Sequence, residues 1–399
     1  MAQNSLLAPA EISKVAAVQV SNNLVFARLS NKQYKDDFTV KIGQTISYRL
    51  PVLFTSYKQT GLVVQGVTEN YGNITISTPG QVAWEFADID LNLTIDQYDE
   101  RYTTPAAIAL AQQMDGDGAA LAAQAYNAVG TPGTAITYAT MQTAKQYLDE
   151  FSVPMNGRYT ALAPVMETQV QNDVMKFFTP SDVFKDIVGE AAIGRLAGSD
   201  VYMSQNISYH TAGSAAGLSL TANPASGATT VSLEDSGNGT LLNGDIITFS
   251  GVNAVNPKNF NTLGRLRQFV VTGGTTVFAG GLGYQLASGS PTTVTISPAI
   301  TSSGPYQTVT ALPTTSSTVT NAYSSHWDSL MWQKDAFALV SVPPPVRKSQ
   351  TFSQVLESQG VGMRFMLVYD VTNEVEIARM DVLYGWQAIY PNFATRIMF

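Results

Sequence analysis

His210 and His326 are the only imidazoles in the chain, and cysteine is absent. A histidine supplies acid–base chemistry near neutral pH and, with cysteine or a second histidine at close spacing, holds zinc. Two distant histidines and no thiol leave zinc fingers, Cys–His nucleophiles and paired-His zinc sites excluded or unsupported. Each histidine is read as a surface or interface residue. The carboxylate pairs Asp88/Asp90 and Asp99/Glu100 are of the kind that glycosidic hydrolysis needs, but local acidic pairs occur in almost any sequence. The stretch DGDG at 115–118 alternates acid and glycine as calcium loops do, yet the other ligands of an EF-hand are missing. In AGGLGYQ (279–285) no helix pattern and no Walker lysine follow the glycines, so a turn is expected and not a phosphate cradle. Trp327, Trp332, Tyr384, Trp386 and Tyr390 are the material of a sugar platform, but core or subunit-interface packing is preferred for them. The reading is therefore of no catalytic, cofactor or metal site, and of a protein that is not an enzyme.

Composition points the same way. The chain has 399 residues, 45% hydrophobic and only 13% charged, about half the usual charged share. Uncharged polar residues and glycine crowd 204–325 in place of charge, which suits β structure and large uncharged contacts between subunits. The net charge of −8 and the lack of any Lys/Arg cluster exclude the basic stripe of a sequence-reading nucleic-acid binder. Without cysteine there is no disulfide framework. The first ten residues lack a basic region followed by an apolar core, and no run of 18 apolar residues occurs, so neither secretion nor membrane spanning is expected. A protein made and folded in the cytoplasm is the reading.

The elements follow from periodicity. Ile12, Val15, Ala16 and Gln19, then Leu24, Val25 and Arg28, have helical spacing and predict one short amphipathic helix or two over 9–29. TVKIGQTISYRLPVLF and TGLVVQGVTENYGNITIS read as a long two-stranded projection over 37–78. VAWEFADIDLNLTI (82–95) reads as a half-buried strand. The Ala-rich stretch 98–129 predicts a long helix with DGDG as a kink or break, and helical patterns recur at 138–151 and 164–178. From 210 to 325 short Thr/Ser/Val strands, among them TTVSL, GDIITFSGV, RQFVVT and TVTISPAI, predict an inserted all-β module. DAFALVSVPPPVR (335–347) ends in a polyproline-like segment, and long closing strands follow, with a hairpin tip at 372–374. No fixed-period repeat is present, which argues against a solenoid or fibre.

This order, together with GEAAIGRLAGSDVYMSQNI (189–207), GDIITFSGVNAVNP, RQFVVT, TVTISPAI and DAFALVSVPPPV, resembles the major capsid proteins of tailed double-stranded-DNA phages. Within them it is similar to the coat-protein family of short-tailed enteric phages that carry an inserted β-barrel. The resemblance covers nearly the whole chain and implies an α+β fold. Its parts are an N-terminal arm (1–36), an extended β loop (37–78), a peripheral domain with spine helix (79–135), an axial domain (136–209), the inserted barrel (210–325) and closing strands shared by the axial and peripheral domains (326–399). In one place the sequence departs from the family: TAGSAAG (211–217) is short and uncharged where members can carry a long charged loop between capsomers.

The resemblance implies self-assembly, as pentamers and hexamers, into an icosahedral shell around phage DNA held without sequence-specific contacts. It implies scaffolding and portal proteins as partners, no membrane, assembly in the host cytoplasm and residence in the virion. Interface candidates on the projecting loop are Leu53, Phe54, Tyr57, Lys58, Leu62 and Val63. Lys58 also raises the isopeptide cross-link that welds some phage shells, although a solvated lysine near a contact is preferred. Gly116 and Gly118 are hinge candidates for expansion of a procapsid. A receptor-binding or adhesive β-rich virion protein is the alternative, and a hydrolase with a β accessory domain has only its acidic residues in favour.

Overall fold

The computed structural model describes residues 8–22, 24–34, 44–55, 58, 61–67, 69–87, 99–176, 194–345, 352–358, 360–370 and 375–399. The chain packs as two compact units, one built from 1–49, 71–119 and 337–389, the other from 50–70, 120–336 and 390–399.

The first unit is organised by the strand Val375–Ala388. Thr78–Ala87 runs antiparallel along one side of it; Val361–Asp370 and Phe337–Val342 share the other, and Phe352–Ser358 extends the sheet. The helices α1 (Ala8–Asn22), α2 (Phe26–Leu29) and α3 (Thr104–Ala120) complete the unit. Ile12, Ala16 and Val20 of α1, and Ala107, Leu110, Ala111 and Met114 of α3, recur at helical spacing and share one hydrophobic core with Met363, Phe365, Met380 and Val382 of the sheet. Alanine at the helix contacts brings helix and sheet close with little side-chain ordering cost. The projection is also present: Thr45–Arg49 pairs antiparallel with Tyr71–Thr75. Its alternation is visible in exposed polar pairs such as Thr45 Oγ1 to Thr75 Oγ1 at 2.8 Å, while Tyr48 and Ile74 are buried.

The long helix differs from its expectation in extent and in continuity. A π-helical turn, Asp99–Thr103, leads into α3, and a 3-10 turn, Leu121–Gln124, follows it. Beyond that, Asn127–Gly130 is a strand lying parallel to Ala394–Met398, so tertiary pairing overrides the helical propensity of the Ala-rich sequence. No break occurs at DGDG, which lies wholly inside α3. The expected strand at 82–95 begins earlier, at Thr78, and is followed to Ala87; its continuation, the tip at 372–374 and the end of the helical pattern at 164–178 lie outside the described residues.

The second unit holds a mixed sheet in the order Asn127–Gly130, Ala394–Met398, His326–Gln333, Arg158–Leu162, Ser199–Met203 and Arg195–Leu196, with Tyr209–His210 paired to the start of His326–Gln333. The helices α4 (Tyr138–Glu150) and α5 (Pro164–Val174) belong to it, α4 opened by a capping box between Thr137 and Thr140. The β module is a six-stranded antiparallel sheet, Val319–Asn321, Ile246–Val255, Thr262–Thr272, Thr292–Ile300, Ala228–Asp235 and Leu218–Leu220, with a three-stranded sheet of Thr240–Leu242, Gly281–Gln285 and Thr276–Phe278. Phe249, Phe269, Val271, Val294, Ile296 and Leu241 lie in its core. The turn expected in AGGLGYQ is the two-residue hairpin loop 279–280 between Thr276–Phe278 and Gly281–Gln285, and GLGYQ itself is a strand. Gly283 serves close packing there, since a Cβ on it would stand 2.3 Å from Leu241 O.

Candidate functional site

Three groups of residues stand out. The first is the stretch 50–70. The projection's ladder goes one step further, Leu50 N–H to Asn70 O at 2.8 Å, and then a side chain takes over: Gln65 accepts from Thr55 N–H at 2.9 Å and donates to Thr55 O at 2.6 Å. The Leu53 N–H reaches Tyr306 Oη at 3.4 Å. Around this bridge the apolar side chains point outward, Phe54 61%, Leu62 91% and Val64 83% exposed, with Leu53, Val63 and Val67 also exposed. Lys58 is exposed among them. Of the six interface candidates, Tyr57 lies outside the described residues and the other five are brought together on this stretch. Val64 and Val67 extend the group; the apolar pattern LVVQGV was their signal in the sequence.

The second is the DGDG turn of α3. Asp115 Oδ1 accepts the N–H groups of Val25 and Ala27 at 3.1 and 3.0 Å, capping α2. Asp117 accepts from Tyr384 Oη at 2.5 Å; burial first, and then this carboxylate, push the tyrosine pKa up. Gly118 faces the ring of Trp386, where a Cβ would come within 2.6 Å, and the indole donates to Met114 O at 3.1 Å. Gly116 has open space at the same point. Asp115 is thus spent on capping α2, Asp117 on the Tyr384 hydroxyl and the second glycine on a close approach to Trp386, and the helix runs on through all four residues.

The third group was not visible in the sequence and corrects the reading of both histidines as surface or interface residues. His210 and His326 are partners in register on neighbouring strands, their ring centroids 5.3 Å apart; His326 is buried within the second unit and the His210 side chain is 9% exposed. His210 Nε2 lies 2.9 Å from Asp245 Oδ1, while Asp245 Oδ2 accepts from Gly213 and Leu242 N–H at 3.0 and 2.8 Å. His326 donates through Nδ1 to Ser324 O and sets Nε2 3.0 Å from Asp328 Oδ1. Arg396, fully buried, grips Asp328 with two bonds of 2.8 and 2.7 Å and gives a third, 2.6 Å, to Gly244 O. Burial alone would raise the Asp328 carboxyl; the charge of Arg396 and hydrogen bonds from His326 and Arg396 outweigh it and hold the group well below the ordinary carboxylate range. The cluster joins the strands that enter and leave the β module to the turn at 242–245.

A second polar seam fastens the same module. Arg265 lies over the Tyr147 ring, 3.6 Å from its centroid, and bonds Glu150 at 3.0 Å. Arg267 is buried between Tyr126 and Phe151, 4.5 and 4.8 Å from the ring centroids. Gln268 both accepts from Ala128 N–H at 2.8 Å and donates to Ala128 O at 3.0 Å. Two arginines in GRLRQ, within a stretch otherwise nearly free of charge, were the signal available in the sequence. The aromatic residues named above are packing groups: Trp332 and Tyr384 are buried, Trp327 meets Tyr209 edge to face, and Tyr390 stacks on Phe393.

Residues 13–399 match the sequence model of the family described as "P22 coat protein - gene protein 5". No curated protein matches the chain. Among solved structures, the capsid of the cyanophage P-SCSP1u is similar at 14% identity over 94% of this chain and 88% of that one, with a TM-score of 0.47. A structure from Mycobacterium phage Che8 has 12% identity over 94% and 90%, TM-score 0.46, and the capsid of Ralstonia phage GP4 has 6% over 92% and 86%, TM-score 0.46. The family match takes in 210–325, the stretch that left an adhesive protein open as an alternative. Spanning nearly the whole chain, it shows that the chain belongs to the P22 coat protein family and is a bacteriophage major capsid protein.

Proposed function

We propose that the subunit assembles as pentamers and hexamers that close into an icosahedral shell around double-stranded DNA, with the stretch 50–70 lying across a neighbouring subunit. The observation that carries this is the run of outward apolar side chains, Leu53, Phe54, Leu62, Val63, Val64 and Val67, on a stretch where Gln65 takes the place of a strand partner for Thr55. Apolar side chains grouped in this way mark association surfaces, and backbone without a ladder partner gains one from a neighbour. Tyr57 and Lys58 belong to the same surface on this reading, and Lys58 acts as a solvated lysine beside the contact.

The acidic net charge suits a container that confines DNA without gripping it. Scaffolding and portal proteins are the partners, assembly takes place in the host cytoplasm, and the protein performs no catalysis. Shell expansion bends α3 at Gly116, between the capping Asp115 and the packed Gly118. Negative-stain electron microscopy of the protein, alone and with the scaffolding protein from its own genome, tests the reading. Closed shells or curved capsomer sheets are expected; uniform monomers or trimers under both conditions overturn it.

A further inference from the structure

The sequence contains three Asn-Gly pairs, Asn156–Gly157, Asn238–Gly239 and Asn243–Gly244. Glycine after asparagine removes the side chain that would hinder attack of the backbone nitrogen on the amide carbon, and asparagine is among the chemically labile residues. The structure separates the three. Asn243 is held at both ends of its amide by Gly274, at 3.0 and 2.8 Å, and the Gly244 N–H donates to Val271 O at 2.8 Å. Asn238 Oδ1 accepts from Ser288 N–H at 3.1 Å, and the buried Gly239 N–H donates to Asp235 Oδ2 at 2.6 Å. In both, the nitrogen that must attack is already committed to a hydrogen bond.

Asn156 is the exception. It is exposed, as is Gly157, and among the described residues neither its amide nor the Gly157 N–H has a hydrogen-bond partner. Gly157 has φ +68°, and around the place of a Cβ only Lys334 Cβ comes near, at 3.7 Å. The flanks are fixed while the reacting pair is free: Arg158 donates to Pro154 O and Val153 O at 2.9 and 2.6 Å, and Gly157 O accepts from Lys334 N–H at 2.9 Å.

We propose that Asn156 is a site of spontaneous succinimide-mediated deamidation. The deprotonated Gly157 nitrogen forms a bond to Asn156 Cγ, the Cγ–Nδ2 bond breaks and ammonia leaves, taking up a proton from water. Water then opens the cyclic imide at either carbonyl, leaving an aspartyl or an isoaspartyl residue. No electrons are transferred, and water is the only co-reactant. Each event adds one negative charge to a chain already at −8, and the isoaspartyl product inserts a methylene into the backbone just before the strand Arg158–Leu162.

The test is peptide mapping by mass spectrometry of the full-length protein over a time course at mildly alkaline pH, folded and in urea. In the folded protein, conversion at Asn156 at least about tenfold faster than at Asn238 or Asn243 is expected, because local opening must precede reaction at the protected pairs; in urea the three rates should converge. An intact Asn156 in the folded sample while the urea sample reacts overturns the proposal, as does equal conversion of all three in the folded protein. N156Q should abolish the acidic variant that accumulates on ion exchange, and its persistence would also count against the site.

Discussion

The stretch 50–70 and the cluster around Arg396 are inversions of each other. One turns apolar side chains outward, Leu62 and Val64 most of all; the other buries an arginine, two histidines and two aspartates with bonds among them. Apolar surface left in water is a deficit that a neighbouring subunit can make good. Buried charge is tolerated where geometry satisfies it, and is costly once a partner is removed. On the proposed reading the first region serves the assembled shell, while the second serves the integrity of a single subunit.

That contrast can be broken most strongly at Arg396. R396A leaves the Asp328 carboxylate buried without its main partner, and a loss of about 3–5 kcal/mol in unfolding free energy is expected by denaturant titration; a loss under about 1 kcal/mol would mean that the cluster is not satisfied as described. Acid probes the same pair. The folded chain holds the Asp328 proton less readily than the unfolded chain does, so the stabilisation is present above the unfolded carboxyl value of about 3.9 and is lost as pH falls below it. The unfolding midpoint should drop below about pH 4, and D328N should flatten that slope.

The two glycines of α3 sharpen the comparison on a smaller scale. G118A drives a methyl into Trp386 and is expected to cost about 1–3 kcal/mol. G116A meets nothing and should gain up to about 1 kcal/mol in thermal unfolding, while slowing expansion of assembled shells followed by light scattering. Smallest in stability, and decisive for assembly, is L62D: the unfolding free energy should change by less than about 0.5 kcal/mol while closed shells disappear from micrographs.

What was legible in the sequence was what is local. The helical spacing of Ile12, Val15, Ala16 and Gln19, the strand-like TISYR and YGNIT, and the run GDIITFSGV each carry their own signal, and each forms the expected element, although Val15 is exposed and Val20 completes the buried stripe. The exposed apolar loop was readable too, because it needs no distant partner. The polar cluster was not, since Arg396 finds Asp328 and Gly244 from 68 and 152 residues away and no local pattern announces such a meeting. The DGDG turn was misread as a break because the roles of its acids and of Gly118 depend on Val25, Tyr384 and Trp386, all remote in the chain.

Gln268 has a further consequence. Asn127–Gly130 is the edge of its sheet, and the Gln268 carboxamide occupies both the donor and the acceptor of Ala128, as the peptide group of one more strand would. An open edge on a molecule that must gather many copies of itself invites fibres in place of closed particles. The side chain acts as a one-residue stopper: it ends the hydrogen-bonded lattice inside the subunit and denies Ala128 to the strand of another copy.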